Sequence, residues 1–120
     1  MHPDDHAGNT ILVVEDDALT RAAMKSVLER EGYRVACAAN GREALATLRE
    51  GGRPALILLD VNMPVLDGRM FRKEQLLDPD LADIPVVVVS GASGPPPDTA
   101  GYVRKPFEPR ELLQTVWCFG

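Results

Sequence analysis

Two runs of the sequence, residues 55–59 and 85–89, are apolar at every position rather than at every second one. A strand with one face toward water alternates apolar and polar residues, whereas a strand covered on both faces is apolar throughout. Runs of this length fit strands better than helices. We therefore expect two central strands of a parallel sheet that carries helices on both faces.

Segments with helical spacing alternate with further short strands along the chain. Strands are predicted at residues 10–14, 33–38, 55–59, 85–89 and 101–104. Between the strands, apolar residues recur at three- and four-residue intervals, as in amphipathic helices. This alternation predicts an α/β fold with a doubly wound five-stranded parallel sheet. We expect residues 10–120 to form one domain after a flexible N-terminus, residues 1–9.

The helix boundaries follow from capping signals. Gly32 suits the left-handed position after the first helix, Asn40 and Glu43 resemble a capping box for the second, and Pro109 can open the last. The apolar positions of the helices are Leu19, Ala23, Met24, Val27 and Leu28 in the first, Ala44, Leu45 and Leu48 in the second, Met70, Phe71 and Leu77 in a third over 68–77, and Leu112, Leu113, Val116 and Trp117 in the last. We expect Met70, Phe71 and Leu77 to point inward, and Trp117 and Phe119 to make core or terminal contacts.

Charge and composition exclude several classes of function. The net charge of −5 disfavours direct binding to nucleic acid or to anionic membranes, which need a basic surface. The longest apolar runs are too short to cross a bilayer, and the polar start is unlike a signal peptide. Two cysteines without a paired spacing indicate neither a zinc site nor a disulfide framework. A cytoplasmic location is the resulting expectation.

Acidic residues collect where the predicted strands end. In a doubly wound sheet, ligands bind beyond the carboxyl ends of the strands. The polar residues at those ends are Glu15, Asp16 and Asp17 after the first strand, Asp60 after the third, Ser90 after the fourth and Lys105 after the fifth. Neighbouring carboxylates repel one another unless a cation or protons neutralise them. Mg²⁺ prefers oxygen ligands, so we expect Asp16 and Asp60 to ligate it, while Asp16 or Asp17, with Asp17 the choice, caps the first helix.

Asp60 is the candidate nucleophile. A carboxylate can attack phosphorus to give an aspartyl phosphate, and the transfer then needs mainly positioning and neutralisation of charge. The Lys105 ammonium and the Ser90 hydroxyl can supply this by binding two of the phosphoryl oxygens, with the metal ion on a third. An unpaired buried carboxylate is costly, which favours a functional role for Asp60 over a structural one.

With these motifs the chain resembles the receiver domain of two-component response regulators, from about residue 11 to residue 113. The motifs that carry the resemblance are Val14-Glu15-Asp16-Asp17, Leu59-Asp60-Val61-Asn62-Met63-Pro64 with Asp67-Gly68, Val89-Ser90-Gly91-Ala92, and Gly101-Tyr102-Val103-Arg104-Lys105-Pro106-Phe107. The resemblance implies the flavodoxin-like strand order 2-1-3-4-5. It also implies that the Lys105-Pro106 peptide bond is cis.

The resemblance further assigns roles to single residues. Glu15 and Asp16 correspond to the family's acidic pair, Asp60 to the phosphoacceptor, and the Asn62 carbonyl to the backbone ligand of the metal. Tyr102 corresponds to the switch aromatic, whose ring turns inward when the Ser90 hydroxyl moves toward the phosphoryl group. From these positions we expect metal ligation by Glu15, Asp16, Asp60 and Asn62, catalysis by Asp60, Ser90 and Lys105, and switching by Ser90 and Tyr102.

One segment departs from the family pattern. Only fourteen residues separate Ser90 from Lys105, and they include three prolines, 95–97. Prolines in succession are incompatible with a helix interior. We therefore expect the family's fourth helix to be shortened or missing.

The functional expectation is a phosphoacceptor switch of a two-component or phosphorelay system. Its partners would be a sensor histidine kinase or histidine phosphotransfer protein and a downstream protein or output domain, and its chemistry would extend only to accepting and slowly losing the phosphoryl group. The alternative is a receiver-like scaffold that does not depend on phosphorylation. A dehalogenase-type phosphatase fits less well because Asn62 stands where its second Asp would act, and an FMN carrier fits less well because the first loop is acidic.

Overall fold

The computed structural model of the chain describes residues 10–50, 53–60, 68–91 and 100–119. Five parallel strands form one sheet in the order β2-β1-β3-β4-β5, which confirms the α/β fold and the predicted strand order. The elements are β1 Thr10–Val14, α1 Ala18–Arg30, β2 Arg34–Ala38, α2 Gly41–Glu50, β3 Leu56–Leu59, α3 Gly68–Leu77, β4 Val86–Ser90, β5 Gly101–Arg104 and α4 Pro109–Phe119. Each strand boundary lies within one residue of its predicted position.

The sheet is covered on both faces, as its continuously apolar strands require. Ile11 and Val13 contact the core beneath α1 and α4, whereas Leu12 and Val14 contact the core beneath α2 and α3. Successive side chains of a strand point to opposite faces, so one five-residue strand serves both cores. All four of these residues are buried.

The predicted caps of α1 and α2 are present. Gly32 has φ 91°, and its N–H donates to Glu29 at 3.1 Å. The Tyr33 N–H donates to Leu28 at 3.3 Å, so that the two bonds close α1 as a Schellman motif. At α2, the Asn40 side chain accepts from the Glu43 N–H at 2.9 Å, and the Glu43 carboxylate accepts from Ala39 at 3.0 Å. These short-range bonds hold the helices where their sequence signals place them.

The inward faces of three helices differ from expectation. Leu19 on α1 is 83% exposed, and the residues that α1 buries are Met24 and Leu28. The prediction that Met70 and Leu77 of α3 point inward is wrong, since both are exposed, and a core position for Trp117 is wrong as well. Helical spacing defines stripes of side chains but leaves the rotation of the helix about its axis open.

Among the side chains of α3 that the structure describes, Phe71 and Gln75 are the buried ones. Phe71 is fully buried, as predicted, and Gln75, one turn further along, is fully buried too. The Gln75 amide donates to the carbonyls of Leu81 at 2.8 Å and Ile84 at 3.1 Å. A polar side chain in this core is thus satisfied by the backbone of the turn before β4.

Some predictions concern parts of the chain outside the described residues. These are the flexible N-terminus, the Asn62 carbonyl as a metal ligand, and the shortened fourth helix, most of whose segment lies in residues 92–99. Among the described helices, none is long and apolar enough to cross a membrane.

Candidate functional site

The sheet itself brings Glu15 and Asp60 together. The Asp60 N–H donates to the Val14 carbonyl at 3.0 Å, and the Glu15 N–H donates to the Ala38 carbonyl at 3.0 Å. Both residues therefore continue the hydrogen bonding of the strands that precede them. Because β1 and β3 are parallel neighbours, their carboxylates lie at the same edge of the sheet.

Three carboxylates form an acidic cluster, defined here as Glu15, Asp16 and Asp60. One ligand oxygen of each lies within 4.8 Å of the others. Glu15 is 2% exposed and Asp60 6%, whereas Asp16 is exposed. Carboxylate oxygens of which two are buried and one is exposed fit a divalent cation such as Mg²⁺ that retains some of its water.

Lys105 meets the acidic cluster from the loop after β5. Its Nζ donates to Glu15 Oε2 at 2.8 Å and Oε1 at 2.9 Å, and lies 3.5 Å from Asp60 Oδ2. Burial alone would lower the pKa of the Lys105 ammonium, but the hydrogen bond and charge of Glu15, followed by the charge of Asp60, raise the pKa above its ordinary value. Lys105 is therefore held as a cation against the cluster. The Lys105-Pro106 bond is cis, as the resemblance implied.

For Glu15, burial outweighs the attraction of Lys105. Burial raises the pKa of its carboxyl, the hydrogen bond from Lys105 opposes this rise, and the nearby Asp60 charge adds to it. The net direction is upward, because the charged form gives up hydration that one ammonium only partly replaces. A bound divalent cation would supply the missing positive charge.

Asp17 is the helix cap, as predicted, and not part of the acidic cluster. Its carboxylate accepts from the Thr20 N–H at 2.9 Å and also from the Thr20 hydroxyl. These hydrogen bonds lower the pKa of Asp17 below its ordinary value. The structure thus separates three consecutive carboxylates into two that face Asp60 and one that starts α1.

Ser90 and Tyr102 lie on β4 and β5, which are neighbouring strands of the sheet. Ser90 is buried at the end of β4, and its carbonyl accepts from the Lys105 N–H at 3.0 Å and from the Tyr102 hydroxyl at 3.1 Å. The half-buried Tyr102 ring therefore has its hydroxyl at the end of β4. The Ser90 carbonyl therefore links Ser90 and Tyr102, the residues expected to switch, to Lys105, the residue expected to neutralise charge.

Arg21 is a neighbour of the site that the sequence analysis missed. Its Nη1 donates to the Glu15 carbonyl at 2.8 Å and lies 3.5 Å from the Asp16 carbonyl. A signal for it existed in the sequence. A cation in the first turn of a helix interacts unfavourably with the helix dipole, which favours a compensating partner nearby.

An apolar groove of about 560 Å³ begins beside Lys105 and runs along the exposed flank of α1. Its walls are Leu19, Ala23 and Val27 on one side and Pro106, Phe107 and Pro109 on the other. The groove therefore joins the outermost apolar stripe of α1 to the lysine of the site. Large exposed apolar side chains such as Leu19 commonly mark an interaction surface when they cluster in this way.

Comparison with known proteins agrees with the family resemblance of the sequence motifs. The family model for the response regulator receiver domain matches residues 11–117. The transcriptional regulatory protein PrrA of Mycobacterium tuberculosis is 39% identical over 114 residues, which cover 88% of this chain and 47% of PrrA. The chain thus spans about half the length of this curated relative.

Solved structures agree on the fold. The chemotaxis protein CheY4 of Vibrio cholerae superposes with a TM-score of 0.86 at 31% identity and covers 93% of this chain and 98% of its own. TrrA of Thermotoga maritima, solved in complex with Mg²⁺-BeF, has a TM-score of 0.82 at 30% identity, with 93% and 99% of the two chains covered. The matched span, the strand order and the acidic edge of the sheet together show that this chain belongs to the response regulator receiver domain family.

Proposed function

We propose that the chain is a Mg²⁺-dependent phosphoacceptor switch that is phosphorylated on Asp60. The observation that carries the proposal is the convergence of three carboxylates and one ammonium at a single edge of the sheet, two of the carboxylates being buried. Buried charge is costly, and its retention at a site open to solvent favours chemistry over structure.

Asp60 acts as the nucleophile. One of its oxygens attacks the phosphorus of a phosphohistidine, a P–O bond forms as the P–N bond breaks, and the imidazole nitrogen keeps the electron pair and takes a proton from solvent. The product is an aspartyl phosphate. Loss of the phosphoryl group to water regenerates the carboxylate and resets the switch.

Lys105 and Ser90 receive the phosphoryl oxygens. Lys105 Nζ already lies 3.5 Å from Asp60 Oδ2, so that it is in place to pair with the charge that arrives there. The Ser90 hydroxyl is the second hydrogen-bond donor to the phosphoryl group. When this hydroxyl moves toward the phosphoryl group, the ring of Tyr102 on the neighbouring strand β5 turns inward. Glu15, Asp16 and Asp60 would hold Mg²⁺, which supplies neutralising charge to the phosphoryl oxygens when it is bound.

The partner that donates the phosphoryl group would be a sensor histidine kinase or a histidine phosphotransfer protein. A protein donor must place its histidine at Asp60, and the groove that starts at Lys105 is an apolar surface within reach of that point. The greater length of PrrA supports a further output segment or downstream protein. A cytoplasmic location is part of the same proposal.

Incubation with acetyl phosphate tests the proposal, with intact mass as the readout. The native chain should gain one phosphoryl group only when Mg²⁺ is present, and Asp60→Asn should gain none. Asp83→Asn is the matched control, because it removes an exposed carboxylate that precedes β4, whereas Ser90 lies at the other end of that strand, and it should be phosphorylated normally. No gain in the native chain, together with no Mg²⁺ binding, would overturn the proposal in favour of a phosphorylation-independent scaffold.

A further inference from the structure

Arg21 occupies an unusual position on α1. It shares the inward face of the helix with Met24 and Leu28, which lie three and seven residues further on and are buried. A continued apolar stripe would place an apolar side chain at this position. The half-buried guanidinium instead reaches back past the helix start to the residues that follow β1.

The carbonyls that Arg21 contacts belong to two members of the acidic cluster. Glu15 and Asp16 lie after β1 and before the Asp17 cap of α1, so the regular helical ladder, which includes the Arg21 N–H bond to Asp17 at 2.9 Å, does not hold their carbonyls. The bond to Glu15 at 2.8 Å is short, and the contact with Asp16 at 3.5 Å is at the limit of a hydrogen bond. The Glu15 main chain is therefore the principal anchor.

The two ends of Glu15 are held by different cations. Lys105 binds its carboxylate and Arg21 binds its carbonyl, so the residue is fixed both in side-chain position and in backbone orientation. Asp16 follows directly, and its carboxylate direction depends on the same peptide unit. Mutation of groups that hydrogen-bond to metal ligands and orient them typically costs about 10- to 100-fold in metal affinity.

We propose that Arg21 is a positioning residue of the metal site, which holds the Glu15-Asp16 backbone so that both carboxylates face Asp60. The inference rests on the proposed function, since it assumes that the acidic cluster binds Mg²⁺. It assigns Arg21 no contact with the metal or the phosphoryl group. Its effect is on how readily the site accepts the cation.

The test compares Arg21→Met with Lys25→Met, which removes an exposed cation from the next turn of the same helix. Isothermal titration with Mg²⁺ should show about a 10-fold weaker affinity for Arg21→Met and an unchanged affinity for Lys25→Met. Arg21→Lys should fall between them, because one ammonium can retain the Glu15 bond. With acetyl phosphate, the Mg²⁺ concentration for half-maximal phosphorylation of Arg21→Met should rise while the rate at saturating Mg²⁺ stays near native.

The outcomes separate this inference from the proposed function. A lower melting temperature in EDTA with native Mg²⁺ affinity would make Arg21 merely structural and overturn the inference alone. Failure of the native chain to bind Mg²⁺ would overturn both. If Arg21→Met does not fold, Arg21→Lys and Arg21→Gln take its place. Native Mg²⁺ affinity in both variants would contradict the positioning role.

Discussion

The ammonium of Lys105 is closer to Glu15 than to Asp60. It lies 2.8 and 2.9 Å from the two Glu15 oxygens and 3.5 Å from Asp60 Oδ2. Glu15 is thus the main partner of Lys105 in this structure, while the proposed phosphoacceptor is the secondary one. The arrangement keeps the lysine beside Asp60 without neutralising that carboxylate fully.

Removal of Lys105 should destabilise the protein. Lys105→Met leaves two buried carboxylates without their cation, and breaking a buried pair costs about 3 kcal/mol of unfolding free energy when one partner remains. The loss should be larger at pH 7 than at pH 5, because burial raises the pKa of Glu15 and protonation then relieves its unpaired charge. Urea unfolding at both pH values measures this, with the exposed Lys73→Met as control. Equal stability of Lys105→Met and native protein would contradict the ion pair.

Neutralisation of Asp60 should have the opposite effect on stability. The Asp60 charge helps to raise the pKa of Glu15, so Asp60→Asn removes a repulsion between the two carboxylates. The variant should unfold at a higher urea concentration than native protein in EDTA, and Mg²⁺ should stabilise it less. The exposed Glu74→Gln provides the control, expected to behave as native. A less stable Asp60→Asn would argue against electrostatic strain in the acidic cluster.

The groove beside Lys105 should matter only for a protein donor. Leu19→Gln changes a side chain that is 83% exposed, so the melting temperature should stay near native. Phosphotransfer from a histidine phosphotransfer protein should slow several-fold, whereas acetyl phosphate should react normally. Leu77→Gln, an equally apolar change at a 71% exposed position of α3, should leave both reactions unchanged. Equal rates for Leu19→Gln and native protein with the protein donor would exclude the groove as the docking surface.

The Asn40 cap offers a stability test away from the site. Asn40→Ala removes the acceptor for the Glu43 N–H and should cost about 1 kcal/mol of unfolding free energy. Asn40→Ser should recover most of this loss, because a serine hydroxyl also caps helices well. Urea unfolding compares the three proteins. Loss of stability in Asn40→Ser equal to that in Asn40→Ala would indicate that capping is not the cause.

The ion pair between Arg53 and Asp83 should respond to acid. The Arg53 hydrogen bond at 2.6 Å lowers the pKa of Asp83 below its ordinary value of 3.8. A depressed carboxyl pKa stabilises the fold above the unfolded-state value and loses that contribution as the pH falls through the folded-state value. The difference in melting temperature between native protein and Arg53→Gln should therefore shrink below pH 3.8. An NMR titration in which Asp83 keeps its low pKa in Arg53→Gln would refute the cause.

Local signals in the sequence were sufficient for the elements and for the membership of the acidic cluster. Continuous apolar strands predicted a sheet covered on both faces. Asn40 and Gly32 predicted the helix caps, because caps depend on hydrogen bonds between near neighbours in the chain. Since parallel strands end at one edge, the proximity of Glu15, Asp16 and Asp60 followed from topology. Their catalytic and metal-binding roles stay predictions.

Other features were decided only by tertiary structure. Periodicity specifies the angles between side chains of a helix but not its rotation against the sheet, which is why Leu19 and Leu77 are exposed while Gln75 is buried. Likewise, the choice of Glu15 as the main partner of Lys105 joins residues 90 positions apart. Such a choice depends on distances of a few tenths of an ångström between loops that only the assembled sheet holds together, and so no local pattern encodes it.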